Sequence, residues 1–439
     1  MSEPGIFEPL LTDREIGAIL GDAAMAQAMV EVERALARVQ GRLGVIDAAA
    51  ARRIDEALAG LVPDLADLAR GTATAGVPVP ALVAQLRRAV GGEAGQLVHW
   101  GATSQDIVDT AWVLCLRRAL SLLATRLDAL IAALAELAER HRATPMAART
   151  RFQQAVPTVL GLKVAGWLAP FLRHRARLAE LEPRLLAVQL GGAAGNLAAL
   201  GDAGVAVMTA LAAELDLACP LMPWHSQRDA PIELASWLAL LSGSLGKLGL
   251  DVLLLAQSEL LELREAEGGG SSTMPQKANP VRSEALVTLA RRNATAVAAM
   301  HEAALHAHER DGSAWQLEWV SLPGMLTSTA AALTHGLTLA RTVVVEPARM
   351  RATLDASHGL LLAEPASFAL AQHLPRADAQ ALVKAACQEA LAQGRDLLDI
   401  LAERSTAPVD WAALRAAAEQ PPAAAELIGR VLGAVRPAS

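Results

Sequence analysis

The sequence predicts an all-α protein, and three observations carry that prediction. Hydrophobic residues make up 53% of the 439 residues, and they are mostly Ala and Leu, which rank highest in helix propensity. Residues that favour strands are scarce, since the chain has 4 Phe and no Tyr. No alternation of strand and helix patterns is visible along the chain. Composition and pattern therefore agree on the fold class.

The longest predicted helix lies between Gly101 and Pro145, a stretch that contains no other Gly or Pro. Apolar residues recur there at alternating intervals of three and four positions, as in a coiled-coil seam. These residues are Val113, Leu116, Leu120, Leu123, Leu127, Leu130, Leu134 and Leu137. A helix of ~30 residues is ~45 Å long, which is longer than a compact single domain usually needs.

Other long helices are predicted on both sides of several Pro and Gly breaks. They lie at about 158–185, 231–267, 280–309 and 326–345. Together with the first, they indicate a central helical bundle. Before and after the bundle the predicted helices are shorter. We therefore predict three helical domains, at 1–110, 111–360 and 361–439.

Charge and cysteine usage narrow the possible partners. The formal net charge is −7, which argues against nucleic acid, since phosphate binding requires a basic face. Three cysteines without a CxxC pair and an N-terminus without a signal pattern predict a cytoplasmic protein. The stretch from Trp319 to Ala340 is uncharged and long enough to span a bilayer. Its Pro, Gly and His residues favour a helix buried in the bundle instead, so we predict no membrane partner.

Polar segments interrupt the apolar helices at Val98–Trp112, Thr144–Thr158 and Glu267–Glu284. In the first, Thr103 and Ser104 directly precede the longest helix, where hydroxyl and free N–H groups bind anions. A plain N-cap needs only one such residue. The second segment carries two arginines and two glutamines, more than a loop between helices requires. Hydroxyls, amides and cations together suit a substrate with two or more carboxylates.

A superficial zinc motif, HEAALH at 301–306, does not predict a metal site. Its two histidines are five positions apart, which places them about 140° apart around a helix, so they do not converge on one ion. No motif for an organic cofactor is visible either. We therefore expect chemistry without a metal or cofactor.

The three polar segments together resemble the fumarase/aspartase (class II fumarase) superfamily. GSSTMPQKANP at 270–280 follows that family's signature G-S-S-x-M-P-x-K-x-N-P, and TSQD followed by DT, and RTRFQQAVPT, match its other two regions in order. The resemblance covers essentially the whole chain. Within the superfamily, HWGATSQDIVDT, PWHSQRD and HERDGSAWQLEW are most similar to 3-carboxy-cis,cis-muconate cycloisomerases, and adenylosuccinate lyases come next.

The resemblance implies a homotetramer whose bundle is built from four chains and whose active sites each combine the three segments from three different subunits. It implies that the Gly-rich segment is a mobile lid and that Ser271 is the catalytic base. Lys277 and Asn279 would hold the carboxylate on which negative charge builds. The substrate-binding residues that it implies are Thr103, Ser104, Gln105, Arg149, Thr150, Arg151, Gln153, Ser272, Met274 and Arg310.

One position departs from the family pattern. Many members have histidine where this chain has Arg151, and arginine does not donate a proton at neutral pH. A leaving group that departs as a stable anion needs no proton. Arg151 therefore argues against adenylosuccinate and argininosuccinate cleavage. It is compatible with lactonisation, in which an arginine holds the reacting carboxylate by a bidentate pair. It is also a departure from the muconate cycloisomerases, which often carry tryptophan at this position. His99 would supply a proton where one is needed.

We therefore expect a cycloisomerase that adds one carboxylate of a muconate across its conjugated double bond, with Ser271 protonating the carbanion. The ligand is expected to be a small di- or tricarboxylate. Elimination of nitrite from a nitrosuccinate stays open, as does cleavage of an adenylosuccinate- or argininosuccinate-like substrate. A catalytically silent helical oligomer is the alternative from another class, and the intact Ser271, Lys277 and Asn279 argue against it.

Overall fold

A computed structural model describes residues 5–270 and 273–435. In these ranges the chain is mostly helical, as the composition predicted. The helices are α1 Glu8–Leu11, α2 Arg14–Leu20, α3 Asp22–Arg42, α4 Ala48–Leu58, α5 Leu65–Ala75, α6 Val79–Val90, α7 Gly92–Gln96, α8 Ser104–Arg140, α9 Leu160–Leu185, α10 Gly204–Glu214, α11 Asp229–Leu255, α12 Val281–Glu302, α13 Gly312–Thr342, α14 Pro347–Asp355, α15 Ala363–Leu370, α16 Arg376–Gln393, α17 Leu397–Arg404, α18 Trp411–Glu419 and α19 Pro422–Gly433.

Short antiparallel strand pairs add to the helices, so the fold is mostly helical rather than all-α. The strands are β1 Pro145–Thr150, β2 Gln153–Val159, β3 Leu263–Arg264, β4 Gly269–Gly270, β5 Ala278–Asn279 and β6 Val344–Val345. β1 pairs with β2, β3 with β6 and β4 with β5. Two of these pairs lie in the polar segments, where the sequence predicted loops.

Contacts in space divide the chain into two compact units. The first contains the chain up to Arg126, together with His174–Gly243 and Thr288–Leu333. The second contains Leu127–Arg173, Ser244–Val287 and the chain from Thr334 onward. The division into 1–110, 111–360 and 361–439 is a partition along the sequence, and it stays a prediction.

The apolar seam of the longest helix is confirmed. α8 covers 37 residues without a break, and every residue of the predicted three-four pattern is buried. Leu120, Leu123, Leu127, Leu130 and Leu134 have no exposed surface at all. Each such leucine contributes about 1.5–3 kcal/mol through burial, so the seam supplies much of the packing energy of α8.

The predicted ends of three other long helices were wrong. α11 ends at Leu255 instead of near 267, because the following residues turn and then form β3, which pairs with β6. α12 ends at Glu302 instead of near 309. α13 begins at Gly312, well before 326, because the Asp311 carboxylate accepts hydrogen bonds from the N–H groups of Ser313 and Ala314 and so caps the helix.

By length and composition, one described helix is apolar enough to cross a membrane, namely α11. Half of its most apolar window is buried in protein. Core helices of soluble bundles have the same character. The uncharged stretch at 319–340 lies in α13, where Leu322, Leu326 and Leu333 are buried.

Two glycines of α9 allow a matched test of helix packing. A Cβ atom on Gly161 would lie 2.7 Å from the carbonyl oxygen of Ala138 and 2.7 Å from the Cα of Arg142, whereas a Cβ on Gly166 would meet nothing within 4 Å. We expect Gly161→Ala to lower the free energy of unfolding by about 1–3 kcal/mol, because backbone must move. Gly166→Ala should raise it by up to about 1 kcal/mol through helix propensity. Urea denaturation measures both, and equal effects would contradict this packing.

Candidate active site

A single buried carboxylate organises the first polar segment. Asp106 lies in the first turn of α8 and has no exposed surface. Its Oδ2 accepts hydrogen bonds from the backbone N–H of Thr103 (2.9 Å) and of Gly192 (2.9 Å). Its Oδ1 accepts from the N–H of Gly191 (2.8 Å) and lies 2.7 Å from Nε2 of His225. Asp106 therefore joins the start of α8 to the glycine loop, which we define as Gly191–Asn196, and to the segment that carries His225.

The glycine loop approaches this cluster closely enough to exclude a side chain. A Cβ atom on Gly191 would lie 2.8 Å from Cε1 of His225 and 2.8 Å from Cβ of Pro223. The sequence GGAAGN resembles a nucleotide loop without a preceding strand, and the structure gives it a different purpose. Its amides donate hydrogen bonds to Asp106, and its carbonyls accept hydrogen bonds from an arginine.

That arginine is Arg310, which lies 205 positions after Gln105 in the sequence. Its Nε donates to Oε1 of Gln105 at 3.0 Å, and its Nη2 donates to two carbonyls of the glycine loop at 3.2 and 3.3 Å. The amide of Gln105 is fully buried and also donates to the carbonyl of His225 and to the carboxylate of Asp109. Arg310 is thereby fixed near the start of α8, where an anionic ligand was predicted.

A buried ion network lies directly behind these residues. The guanidinium of Arg228 binds Asp109 at 2.7 Å and Glu318 at 2.6 Å, and all three side chains are buried. Trp315 Nε1 donates to Asp109 at 3.0 Å, and Arg228 lies 4.7 Å from the ring centre of Trp224. Burial raises the pKa of Glu318, although Arg228 acts in the opposite direction. Removing one partner of such a network leaves a buried charge unpaired.

The motifs PWHSQRD and HERDGSAWQLEW contain His225, Arg228 and Glu318, but the sequence alone indicates no role for these residues. Asp106 and Asp109 lie in the motif HWGATSQDIVDT, and the sequence likewise indicated no individual role for them. A signal was present, because charged residues within an otherwise apolar helix are rarely buried without a partner. Their partners, however, lie about a hundred or more positions away along the chain, so only the fold identifies them.

His99 lies just before the same helix and pairs with an acid that the sequence did not suggest. Its Nδ1 lies 2.6 Å from Oε1 of Glu33, a residue of α3 with almost no exposed surface. The backbone of His99 is left-handed, with φ = 68°. The predicted candidates His99, Thr103, Ser104, Gln105 and Arg310 thus all belong to the first compact unit.

The second polar segment forms a β-hairpin in the other unit. β1 and β2 pair up to Thr150 and Gln153, so the connection consists of Arg151 and Phe152 alone. Near the tip of the hairpin, where it pairs with Gln154, Arg149 makes a bidentate ion pair with Glu262, at 2.7 and 2.9 Å, and Glu262 is fully buried. The predicted role of Arg149 in substrate binding stays a prediction, and the structure shows it as the anchor of the hairpin.

The tip of this hairpin has an unfavourable backbone. Arg151 and Phe152 have φ values of 50° and 65°. Positive φ at both central positions corresponds to a type I′ turn, for which Asn-Gly is preferred. A left-handed residue other than glycine costs on the order of 1–3 kcal/mol. Arg151 is exposed, forms no ion pair within the described part of the chain, and lies between the exposed Thr150 and Gln153.

The third polar segment lies in the same unit as the hairpin. β4 and β5 bring Gly269 opposite Asn279, and the N–H of Lys277 donates to the carbonyl of Met274 at 3.0 Å. The side chains of Met274 and Lys277 are exposed, and Asn279 is half-buried. Ser271 and Ser272, the predicted base and its neighbour, lie outside the described residues.

A buried carboxylate fixes the base of this segment. Glu265 accepts hydrogen bonds from the N–H of Arg282 (3.2 Å) and from the N–H and hydroxyl of Ser283 (2.8 and 2.7 Å). These donors belong to the first turn of α12, where a negative charge is favourable. Glu265 therefore holds one end of the Gly-rich segment against the helix that follows it.

No group of three His, Cys, Asp or Glu side chains that could hold a metal ion is found between residues 5 and 270 or between 273 and 435. The described candidate residues offer hydroxyls, amides and cations. These groups bind carboxylates and stabilise negative charge that develops on them.

Comparisons with known proteins agree with a site that binds carboxylates. A family model described as lyase matches residues 11–294. The chain is 45% identical to the 3-carboxy-cis,cis-muconate cycloisomerase of Pseudomonas aeruginosa, over 91% of this chain and 88% of that protein. It is 39% identical to a nitrosuccinate lyase of Streptomyces davaonensis, over 91% of this chain and 87% of that protein. The crystal structure of the 3-carboxy-cis,cis-muconate lactonizing enzyme from Pseudomonas putida superposes with a TM-score of 0.91, at 39% identity, over 98% of each chain.

The fold and the polar segments define a helical lyase. The chain belongs to the lyase family of fumarase and aspartase, which confirms the resemblance found in its sequence. It is an enzyme of that family, and the relatives named above are cycloisomerases and lyases.

Asp106 offers a direct test of the first cluster. Asp106→Asn removes the charge and replaces one acceptor oxygen by a donor that faces other donors. We expect the free energy of unfolding to fall by about 3 kcal/mol, since hydrogen bonds to a buried charge are lost. Asp202→Asn, at an exposed position of the same unit, should change it by less than about 0.5 kcal/mol. Urea denaturation of both variants decides the matter, and similar small effects would contradict the role of Asp106.

The hairpin tip offers a second test. Asn-Gly in place of Arg151 and Phe152 suits the turn type, so we expect the free energy of unfolding to rise by about 1 kcal/mol or more. Ala-Ala at the same two positions removes both side chains but keeps the left-handed strain, so it should give no such gain. Thermal melting of the two variants measures the difference, and an Asn-Gly variant that melts below the Ala-Ala variant would refute the strained turn.

Proposed function

We propose that this enzyme is a 3-carboxy-cis,cis-muconate cycloisomerase that acts as a cytoplasmic homotetramer without a cofactor. The observation that carries the proposal is Arg151, an exposed guanidinium at the tip of a strained hairpin, where many family members have a histidine. Arginine binds a carboxylate in two hydrogen bonds but does not donate its proton. A reaction in which a carboxylate is the entering or leaving group suits it.

The reaction proceeds by addition and protonation. A carboxylate oxygen of the substrate attacks one carbon of the conjugated double bond, so that a C–O bond forms and the π electrons move to the neighbouring carbon. Their charge spreads into the carboxylate next to that carbon, where Lys277 and Asn279 stabilise it. The hydroxyl of Ser271 gives its proton to the carbon, a C–H bond forms, and the serine oxygen recovers a proton from solvent.

The remaining candidates are proposed to contact the substrate, either by binding its carboxylates or by lining the site. Thr103 and Ser104 offer hydroxyls and a helix start to one carboxylate. Arg310 is held by Gln105 and the glycine loop through Nε and Nη2, and its Nη1 donates to no described group. Thr150, Gln153, Ser272 and Met274 would line the rest of the site. We propose that each site combines the three segments from three subunits of the homotetramer.

The cytoplasmic location is supported by the cysteines, which are all free. A reducing compartment keeps such thiols unpaired. The substrate class is supported by the relatives, whose names refer to small carboxylic acids.

Nitrosuccinate elimination is the second candidate. It is favoured by the same arginine and by the nitrosuccinate lyase among the relatives. In that reaction a base removes a proton from the carbon next to a carboxylate, the C–N bond breaks, and nitrite departs with the electron pair. Nitrite is a stable anion, so no proton donor is needed at the leaving group.

The test is an ultraviolet assay of the purified protein with 3-carboxy-cis,cis-muconate, which follows loss of the conjugated diene. We expect rapid loss with the wild type, and a decrease of at least about 100-fold in Ser271→Ala, since an essential proton donor is missing. Light scattering on both proteins serves as the control for assembly. The Asn-Gly hairpin variant, although more stable, should also lose activity.

A tetramer that leaves the muconate unchanged but releases nitrite from nitrosuccinate would replace the first proposal by the second. Unchanged turnover in Ser271→Ala would reject the assignment of the base. Full activity in the Asn-Gly variant would reject Arg151 as a substrate contact.

A further inference from the structure

The feature that the proposed chemistry does not use is the pair formed by Glu33 and His99. Glu33 comes from the middle of α3, and its side chain is 1% exposed, whereas that of His99 is 17% exposed. Oε1 of Glu33 lies 2.6 Å from Nδ1 of His99. The other oxygen, Oε2, is buried and has no hydrogen-bond partner in the described part of the chain. A buried carboxylate with one partner directs its charge at that partner.

The same face of α3 also holds Trp100, the residue that follows His99. Gln40 lies seven positions after Glu33, which is two helical turns. Its buried amide donates to the carbonyl of Trp100 at 2.7 Å. Two side chains of one helix therefore fix the consecutive residues His99 and Trp100. This arrangement positions an imidazole rather than merely filling space.

The backbone of His99 supports the same conclusion. Its φ of 68° lies in the left-handed region, which glycine adopts without cost and histidine does not. The next residue with positive φ is Gly101, where the sequence does use glycine. A histidine at the strained position indicates that its side chain is needed.

We infer that Glu33 is a positioning residue for the reaction: it holds the Nδ1–H of His99 so that Nε2–H is presented to a carboxylate of the substrate. The inference rests on the proposed function and adds a residue to it. Among the described residues, Nδ1 is the only ring nitrogen of His99 with a hydrogen bond, so Nε2 is available. Carboxylate–imidazole pairs fix the tautomer and orientation of the ring in the same manner in other enzymes.

Three charged groups on three different elements set the protonation of His99. They are Glu33 on α3, Asp106 on α8 and Arg87 on α6. Burial lowers the pKa of His99, and Arg87 also lowers it, but the charge and hydrogen bond of Glu33, with the charge of Asp106, raise it above its usual value of 6.5. The imidazolium is therefore favoured in the folded protein.

The raised pKa of His99 makes both stability and activity depend on pH. Because the pKa of His99 is raised on folding, the protonated pair stabilises the protein fully below the unfolded pKa. That contribution is lost as pH rises through the folded pKa. Activity that depends on the imidazolium should decline over the same range.

In the proposed reaction His99 keeps its proton. Nε2–H donates a charge-assisted hydrogen bond to a carboxylate whose negative charge grows when the C–O bond forms. The proton that the carbon gains comes from Ser271, so protons balance without transfer from the imidazolium. His99 thus supplies positive charge at the carboxylate on which negative charge develops, whereas Arg151 is proposed to hold the carboxylate that reacts.

The test is Glu33→Gln, which keeps the shape and the acceptor oxygen but removes the charge. We expect an NMR titration to show a lower pKa for His99, and the alkaline decline of kcat/KM for 3-carboxy-cis,cis-muconate to move to lower pH. At pH 8 the decrease should be roughly 10- to 100-fold, and it should be much smaller at acidic pH. A purely structural role would lower activity equally at all pH values.

Two further variants serve as controls. Glu31→Gln makes the same charge change on α3, but Glu31 pairs with Arg34 and Arg38, so the pH profile should not move. Glu33→Asp keeps the charge and should retain the raised pKa of His99. The role of the charge can therefore still be tested if Glu33→Gln does not fold.

The outcomes separate the inference from the proposed function. If Glu33→Gln lowers the pKa of His99 but leaves the pH profile in place, the inference is overturned and the function stands. If neither moves, the pairing itself is refuted. If the wild type does not consume the muconate, the proposed function fails, and the pKa of His99 in Glu33→Gln still decides whether Glu33 sets its charge.

Discussion

The first polar segment depends on one interaction, the burial of the Asp106 carboxylate among four donors. A buried charge without partners would be very costly, so the surrounding chain must supply N–H groups at the right places. Thr103, Gly191 and Gly192 do so with their backbones, and His225 with its ring. Two distant stretches of sequence, around Gly191 and around His225, are thereby brought to the start of one helix, and Arg310 is held by the loop that results.

The helices and the irregular segments have different tasks. Long apolar seams such as that of α8 provide rigidity, because their leucines are buried throughout. The candidate residues lie where helices begin or where short strands pair. Several of these positions use left-handed backbone at residues other than glycine, including His99, Arg151 and Phe152. Such conformations persist only when the surrounding structure fixes them, and here buried ion pairs or hydrogen bonds do so.

Buried acids recur as anchors in this chain. Glu33 holds His99, Glu262 holds Arg149, and Glu265 holds the start of α12. Each acid is buried, while its partner belongs to a candidate segment or adjoins one. An ionised carboxylate in a low-dielectric interior acts strongly over a short range, so each segment is fixed with a few contacts.

The sequence by itself determined the mostly helical character of the fold, the course of α8, the three polar segments and the family, because helix propensity, heptad spacing and short motifs are local properties. It did not determine that 144–158 forms a hairpin, since Arg151 and Phe152 are not residues that signal a type I′ turn. Nor did it reveal Glu33 as the partner of His99 or Arg228 as the partner of Asp109 and Glu318. Those pairings join residues 66 to 119 positions apart, and only the packing of helices in space decides which buried charges meet.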